Sequence, residues 1–417
     1  MPIATVPDLV CPAGGLPALK AAVDNGANSV YCGFRDATNA RNFAGLNFDR
    51  KTLAEGLRHA HAAGANVLVA INTYPQAGRI DEWHRAIDVA AELGVHALIV
   101  ADMGLLAYAS RRHPSLRLHL SVQGSATNYE AINFCHREFG VQRTVLPRVL
   151  TLAQVEHLVK HAETEIEVFA FGSLCVMNEG RCWLSSYATG ESPNTVGACS
   201  PAKYVRWDNK PTGLEARLNG ILIDRYGAGE KAGYPTLCKG RFEVSGATYY
   251  ALEEPTSLNV LPMLPELARI GVAAIKVEGR QRSPAYVAKV TRTLRAALDA
   301  LRVEGEDFAL RPAWQADLSR LAEGQQVTLG AYNRPGGNGG RLGNAERTGI
   351  GSARAEPCRC GHGGCQGCSE PWRPARHCAG AAAVLLVAHG CAGFLCRHCA
   401  VGGRYRVYRR NGVRAPP

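Results

Sequence analysis

Four cysteines in the middle of the chain form the clearest chemical signal of the sequence: Cys175, Cys182, Cys199 and Cys238. Thiolates are soft ligands that suit iron–sulfur clusters or structural zinc far better than magnesium or calcium. The gaps of 6, 16 and 38 residues between them contain no Cys-x-x-Cys pair of the kind found in most zinc ribbons. The spacing favours a cluster, while zinc and buried free thiols stay open as alternatives.

Polar residues that follow short apolar runs form a second set of candidates. The substrate-binding candidates are Arg41, Asn72, Gln123, Arg148, Glu278 and Arg280, and a wider set adds Asn42, Asp102, Asn128 and Arg282. Because a guanidinium can hold a carboxylate through two hydrogen bonds, converging arginines predict an anionic small-molecule ligand. A surface salt bridge is the alternative for any single arginine.

No catalytic acid, base or nucleophile can be assigned from the sequence. It contains neither His-Glu-x-x-His nor Gly-x-Ser-x-Gly, and its 13 histidines form no readable pair with a serine.

Along the chain that carries these residues, β-rich apolar runs alternate with helical patterns. The predicted strands are Leu9–Cys11, Ser29–Cys32, Val67–Ile71, Ala97–Ala101, Leu116–Val122, Thr144–Leu146, Ile166–Phe171 and Ala274–Val277. Eight strand–helix repeats predict an α/β fold, a (β/α)8 TIM-type barrel with its active site at the carboxyl ends of the strands. A doubly wound open sheet is the alternative, but the turn after the first strand lacks the G-x-G-x-x-G spacing.

We expect residues 1–333 to form the barrel domain, with a cysteine-bearing insertion over 173–271 after the seventh strand. Cys175 follows that strand closely, so the metal should lie at the mouth of the barrel.

The last segment, 334–417, has a different composition. It holds eight of the 15 cysteines, with 13 Arg, three Glu and no Lys or Asp, and therefore +10 of the formal charge of +11. Its arginine bias without lysine favours an unstructured or frame-shifted tail over a zinc module built on Cys365-x-x-Cys368 and Cys396-x-x-Cys399. Without it, 34 basic and 33 acidic residues remain, a balance that argues against a nucleic-acid partner.

The N-terminus shows no signal peptide, and the longest apolar run of the tail, Ala379–Ala388, is too short to span a bilayer. We therefore expect a cytoplasmic protein with reduced thiols and no transmembrane segment.

The segment from Glu167 to Ser185, EVFAFGSLCVMNEGRCWLS, resembles the signature of the collagenase-like peptidase family. Further segments resemble the branch of that family that acts in oxygen-independent ubiquinone biosynthesis: Asn39–Asn47, Ser192–Pro201, Tyr234–Gly240, Glu253–Asn259 and Ala274–Tyr286. The resemblance extends from about Leu9 to Asn333 and ends where the tail begins.

This resemblance implies a 4Fe-4S cluster on Cys175, Cys182, Cys199 and Cys238. It also implies a heterodimer with a UbiV-like cluster protein, and a lipid-carrier accessory protein as a further partner. The implied activity is hydroxylation of the ring of a prenylated ubiquinone precursor without oxygen, with prephenate as oxygen donor. Prephenate is a dicarboxylate, in agreement with the arginine pattern. RNA base hydroxylation by a related family member is the first alternative function, and peptidase activity is the second.

Overall fold

The computed structural model describes residues 6–175, 177, 179–230 and 232–333. The predicted tail, 334–417, lies outside the described residues.

Seven strands and six helices alternate along the first half of the chain. The strands are β1 (Asp8–Pro12), β2 (Ser29–Cys32), β3 (Asn66–Ile71), β4 (Ala97–Val100), β5 (Arg117–Leu120), β6 (Val141–Val145) and β7 (Glu165–Ser173). The helices are α1 (Leu16–Val23), α2 (Arg50–Ala62), α3 (Ile80–Glu92), α4 (Met103–Arg112), α5 (Tyr129–Phe139) and α6 (Leu152–His161). Each strand pairs in parallel with the next one along the chain.

The chain then leaves the barrel and forms smaller elements that carry the cysteines. Two short helices, α7 (Leu184–Thr189) and α8 (Pro193–Val196), precede an antiparallel sheet of three strands and a hairpin. The sheet consists of β8 (Val205–Lys210), β9 (Gly213–Leu218) and β10 (Ile221–Tyr226), and the hairpin of β11 (Arg241–Val244) and β12 (Ala247–Tyr250). The hairpin turns at Ser245 and Gly246, which have φ angles of 53° and 81°.

The chain returns through β13 (Ser257–Asn259), which pairs antiparallel with the end of β7, and α9 (Leu264–Arg269). Strand β14 (Ala274–Val277) then pairs in parallel with both β7 and β1 and closes the barrel. Helices α10 (Pro284–Glu304) and α11 (Pro312–Leu321) follow, and β15 (Val327–Thr328) pairs with β13. The predicted TIM-type barrel is confirmed: eight parallel strands form a closed ring flanked by helices.

The strands bury both faces, as the strands of a parallel sheet with helices packed outside it must. One face packs against the helices around residues such as Trp83, Leu98 and Ile275. The other fills the barrel interior with Val10, Tyr31, Leu68, Ala70, Ala97, Ile99 and Ala274. Ionisable side chains are buried on the same inward rows: His119, Arg143, Glu167 and Lys276.

Those ionisable residues explain the largest error in the predicted strand boundaries. Strand β6 begins at Val141, three residues before the predicted Thr144. The apolar pattern misses these residues because Gln142 is exposed and the buried Arg143 bonds to Glu165 and lies beside Glu167.

Side-chain caps and glycines set the ends of the helices. Asp49 and Thr52 form a capping box at the start of α2, and Thr151 does the same with Gln154 at α6. Gly64 and Gly94, after α2 and α3, have φ angles of 73° and 72°, which favour glycine. None of the described helices combines the length and the hydrophobicity that crossing a bilayer requires.

Candidate functional site

A cavity of about 120 Å³ opens at the carboxyl ends of the barrel strands. Inward-facing side chains from five strands form what we call the cavity floor: Tyr31, Ala70, Ile99, Phe169 and Lys276. The loops beyond the strands form the opposite wall, which contains Cys175, Cys182, Cys199 and Cys238. The structure therefore brings the four predicted cysteines and the barrel mouth together in one cavity.

The environment of the cysteines is dry, and this controls their protonation. Burial raises the pKa of Cys175 to about 12 and that of Cys238 to about 11, and it also raises the pKa of Cys182. Cys199 adds to the shift at each of the three, so its sulfur is within electrostatic range of all of them. These thiols stay protonated at neutral pH unless a cationic group compensates the negative thiolates.

Hydrogen bonds fix two of the cysteine loops to each other and to the barrel. The Asn194 side chain donates to the carbonyl oxygen of Cys182 at 3.2 Å, and the amide of Tyr74 donates to the Asn194 carbonyl at 2.9 Å. The amide of Asn42 donates to the carbonyl of Gly197, two residues before Cys199, at 3.1 Å. The loops after β2 and β3 thus hold the cysteine loops in place.

Arg41 lines the cavity near both the cysteines and the cavity floor. Its Nε lies 3.9 Å from Oε1 of Glu278, and its Nη1 donates to the Ala40 carbonyl at 2.8 Å. Although burial disfavours the charged guanidinium, the neighbouring Cys199 and Glu278 hold the pKa of Arg41 above its usual value. The arginine is therefore charged next to the cysteine wall.

Arg148 and Glu179 form a buried pair across the cavity. Nη1 of Arg148 donates to Oε1 of Glu179 at 2.5 Å, and the guanidinium lies 3.5 Å from the centre of the Phe169 ring. Both side chains keep a polar atom, Nε of Arg148 and Oε2 of Glu179, without a hydrogen-bond partner among the described residues. Two buried polar atoms are thus free to bind a ligand.

Arg280 is the most unusual of the arginines because its polar partner is neutral. Its Nη1 donates to Oδ1 of Asn39 at 2.7 Å, and its guanidinium lies 5.5 Å from the centre of the Tyr31 ring. Within the described part of the chain it forms no salt bridge. Burial lowers the pKa of Arg280 to about 10, so it remains a buried cation at neutral pH.

The amide of Asn72 lines the cavity but is occupied in positioning the loops. Its oxygen accepts from the Ala40 amide at 3.0 Å, and its nitrogen donates to Ser121 Oγ at 3.2 Å. Gln123 also lines the cavity, and its carbonyl accepts from the Tyr74 hydroxyl at 2.7 Å.

Three members of the wider set have structural contacts instead. Asp102 caps α4 through the amide of Leu105, and Asn128 caps α5 through the amide of Ala131. Arg282 bonds to Glu323 at 3.0 Å, in the segment after α11.

Three residues of the site are not among the candidates that the sequence indicates: Tyr31, Glu179 and Lys276. Lys276 carries a signal that could have identified it, since a charged residue in the middle of a buried strand requires a partner. Glu179 lacks such a signal because only the fold brings it to Arg148.

The four cysteines supply the type and number of donors that a 4Fe-4S cluster takes, and they share one cavity, while the cluster itself stays a prediction. Among the described residues, no group of three His, Cys, Asp or Glu side chains is arranged to hold a metal ion.

The family model of peptidase family U32 matches residues 14–338. The chain therefore belongs to peptidase family U32, as its cysteine segment predicts. It is 29% identical over 330 residues to tRNA hydroxylation protein P1 of Bacillus subtilis (strain 168), covering 79% of this chain and 72% of that protein.

Two relatives come from Escherichia coli (strain K12). Its tRNA hydroxylation protein P is 31% identical over 317 residues, covering 70% of this chain and 68% of that protein. Its 23S rRNA 5-hydroxycytidine C2501 synthase is 30% identical over 305 residues, covering 72% of this chain and 41% of that protein.

Proposed function

We propose that this protein is the iron–sulfur subunit of an oxygen-independent hydroxylase that acts on the ring of a prenylated ubiquinone precursor. A UbiV-like cluster protein is the proposed heterodimeric partner, and prephenate is the proposed oxygen donor. The names of the relatives support hydroxylation as the reaction. The segments that resemble the ubiquinone branch of the family support the prenylated ubiquinone precursor as the acceptor of the hydroxyl group.

The observation that carries this proposal is a single cavity lined by buried cations and by four thiols. Arg280 is buried, and among the described residues its side-chain hydrogen-bond partner is the neutral Asn39. Burying a cation without a hydrogen-bonded counter-ion costs several kcal/mol, so the site favours an anion in this position. A small dicarboxylate would supply that charge at Arg280, and the guanidinium groups of Arg41 and Arg148 line the same cavity.

The four cysteines are the proposed ligands of a 4Fe-4S cluster. When bound, such a cluster supplies reversible one-electron transfer beside the cavity. The side chains of the chain itself bind and orient the reactants: the arginines take carboxylates, and the apolar surfaces of Ile99 and Phe169 can pack against a ring. The loops that carry the cysteines line the cavity beside the arginines.

Anaerobic purification with iron and sulfide analysis tests the cluster. We expect four irons per chain and a broad visible absorption, both lost in Cys175→Ala and Cys199→Ala. Cys135→Ala is the matched control, because Cys135 is a buried thiol on α5 outside the cavity. Full occupancy by zinc without iron after strictly anaerobic preparation would contradict the proposed cluster.

RNA base hydroxylation is the second candidate function, and the names of three relatives favour it. Against it stands the charge of residues 1–333, where 34 basic and 33 acidic side chains provide little net attraction for phosphates.

Complementation in two hosts distinguishes the ubiquinone precursor from RNA as the acceptor. The first host, grown anaerobically, lacks its own ubiquinone-pathway member of the family, and the second lacks its tRNA hydroxylation protein. We expect the chain to restore ubiquinone in the first host and no hydroxylated nucleoside in the second. The reverse pattern would establish RNA as the acceptor, and Cys175→Ala serves as the inactive control in both.

A further inference from the structure

Lys276 lies on the inward row of β14, where it is buried and lines the cavity floor. Its Nζ donates to Oε1 of Glu167 at 2.6 Å and lies 4.0 Å from the centre of the Tyr31 ring. An ammonium group has three N–H donors, and Glu167 is the acceptor for one of them. Two donors therefore remain available on the side of the cavity.

Glu167 holds Lys276 from below. Its carboxylate is fully buried, and its second oxygen, Oε2, lies 3.5 Å from Nη1 of Arg143. Arg143 reaches Glu165 at 2.6 Å and Asp8 at 3.3 Å, near the opposite end of the barrel. A column of alternating charges thus runs through the barrel interior and ends at Lys276.

Glu167 thus has two cationic neighbours, Lys276 at 2.6 Å and Arg143 at 3.5 Å. Arg280 shares the Tyr31 ring with Lys276, which places two cations over one aromatic surface. Burial lowers the pKa of Lys276, while Glu167 counteracts that shift and favours the charged ammonium.

We propose that Lys276 is a further ligand-binding residue that donates hydrogen bonds to the ring carboxylate of a small dicarboxylate bound over Tyr31, while Arg280 binds its other carboxylate. Glu167 acts through Lys276 as a positioning residue. This inference rests on the proposed function, because it assumes that the cavity takes an anion.

The test compares the binding of prephenate, a dicarboxylate, with that of phenylpyruvate, which lacks the ring carboxylate, by anaerobic calorimetry on the full chain. The main variant is Lys276→Met combined with Glu167→Gln, so that no charge is left unpaired. We expect it to weaken prephenate binding about ten- to hundredfold, the range of a charge-assisted hydrogen bond, and phenylpyruvate binding by less than about threefold. If this variant fails to fold, Lys276→Gln provides the same comparison, because its amide can still donate to Glu167.

Two further variants test the positioning role of Glu167. Glu167→Gln keeps an acceptor for Lys276 and should keep the preference for prephenate, whereas Glu167→Leu should reduce it. Lys20→Met with Glu55→Gln is the matched control, since this pair has a similar distance of 2.8 Å but lies on the surface.

Unchanged preference for prephenate in the Lys276 variants, with binding by the unmodified protein intact, would overturn this inference and leave the proposed function standing. Binding of neither acid by the iron-loaded unmodified protein would overturn the proposed anion site and this inference together.

Discussion

The arginines of this site differ in how their charge is balanced. Arg148 has a carboxylate partner in Glu179, and Arg41 has a more distant one in Glu278, whereas among the described residues Arg280 hydrogen-bonds to the amide of Asn39 and forms no salt bridge. A protein that needed a stable core at this position would gain from an apolar residue instead. This imbalance supports the proposed binding of an anion at Arg280.

Replacing these arginines should weaken the binding of a carboxylate ligand. We expect Arg280→Ala, Arg41→Ala and Arg148→Ala each to weaken prephenate binding by about 1.5 to 3 kcal/mol, the scale of a charged hydrogen bond. Calorimetry measures the effect, and Arg79→Ala is the control because Arg79 pairs with Glu82 on the surface. Unchanged binding in all three cavity variants would exclude this anion site.

At the scale of elements, the position of the cysteine loops depends on close backbone contacts with the barrel. Gly197 has a φ of 84°, and a Cβ at this position would lie 2.1 Å from the carbonyl oxygen of Asn39. Gly180 is similar, with a Cβ position 2.0 Å from the carbonyl oxygen of Gln123. Since real Cβ atoms do not approach backbone this closely, both loops need glycine to reach the barrel.

Gly197→Ala should therefore displace the loop that carries Cys199 and reduce the iron content per chain. Gly78→Ala is the matched control, because Gly78 has a φ of 78° but open space around its Cβ position. The control should lose only about 1 to 2 kcal/mol of stability through backbone strain and keep its iron. Iron analysis and thermal unfolding measure both effects, and equal iron contents would show that this contact does not position the cluster loop.

At the scale of the whole molecule, the last described residues, up to Asn333, pack against the barrel. Tyr332 is buried, and its hydroxyl donates at 3.2 Å to the carbonyl of Phe169, a residue of the cavity floor. Strand β15 pairs with β13, and Glu323 bonds to Arg282 and Lys239. Residues up to Asn333 thus belong to the same folded body.

A chain that ends at Asn333 should keep its fold and its proposed cluster. A chain that ends at Glu323 should lose both in part, because β15 and the buried Tyr332 are removed. Iron content and thermal unfolding of the two truncated chains, compared with the full chain, provide the measurement. Loss of iron on removal of 334–417 alone would show that the tail contributes to the metal site.

The sequence by itself determined the barrel and the region of the site. Apolar runs such as Val67–Ile71 and helix-ending glycines such as Gly64 are local patterns, and parallel strands bring all their carboxyl ends to one mouth. The candidates Arg41, Arg148 and Arg280 could be located because each follows such a run. Their order along the chain was sufficient to place them in one cavity.

Only the tertiary structure decided which side chains are partners. Asp102 and Asn128 cap helices, Asn72 positions loops, and Glu179 meets Arg148 from a loop 31 residues away. Lys276 and Glu167 lie 109 residues apart in the chain and become neighbours only because β14 closes the barrel against β7. Charge pairing depends on distances of a few ångströms between distant residues, and such distances are fixed by closure and packing rather than by any local pattern.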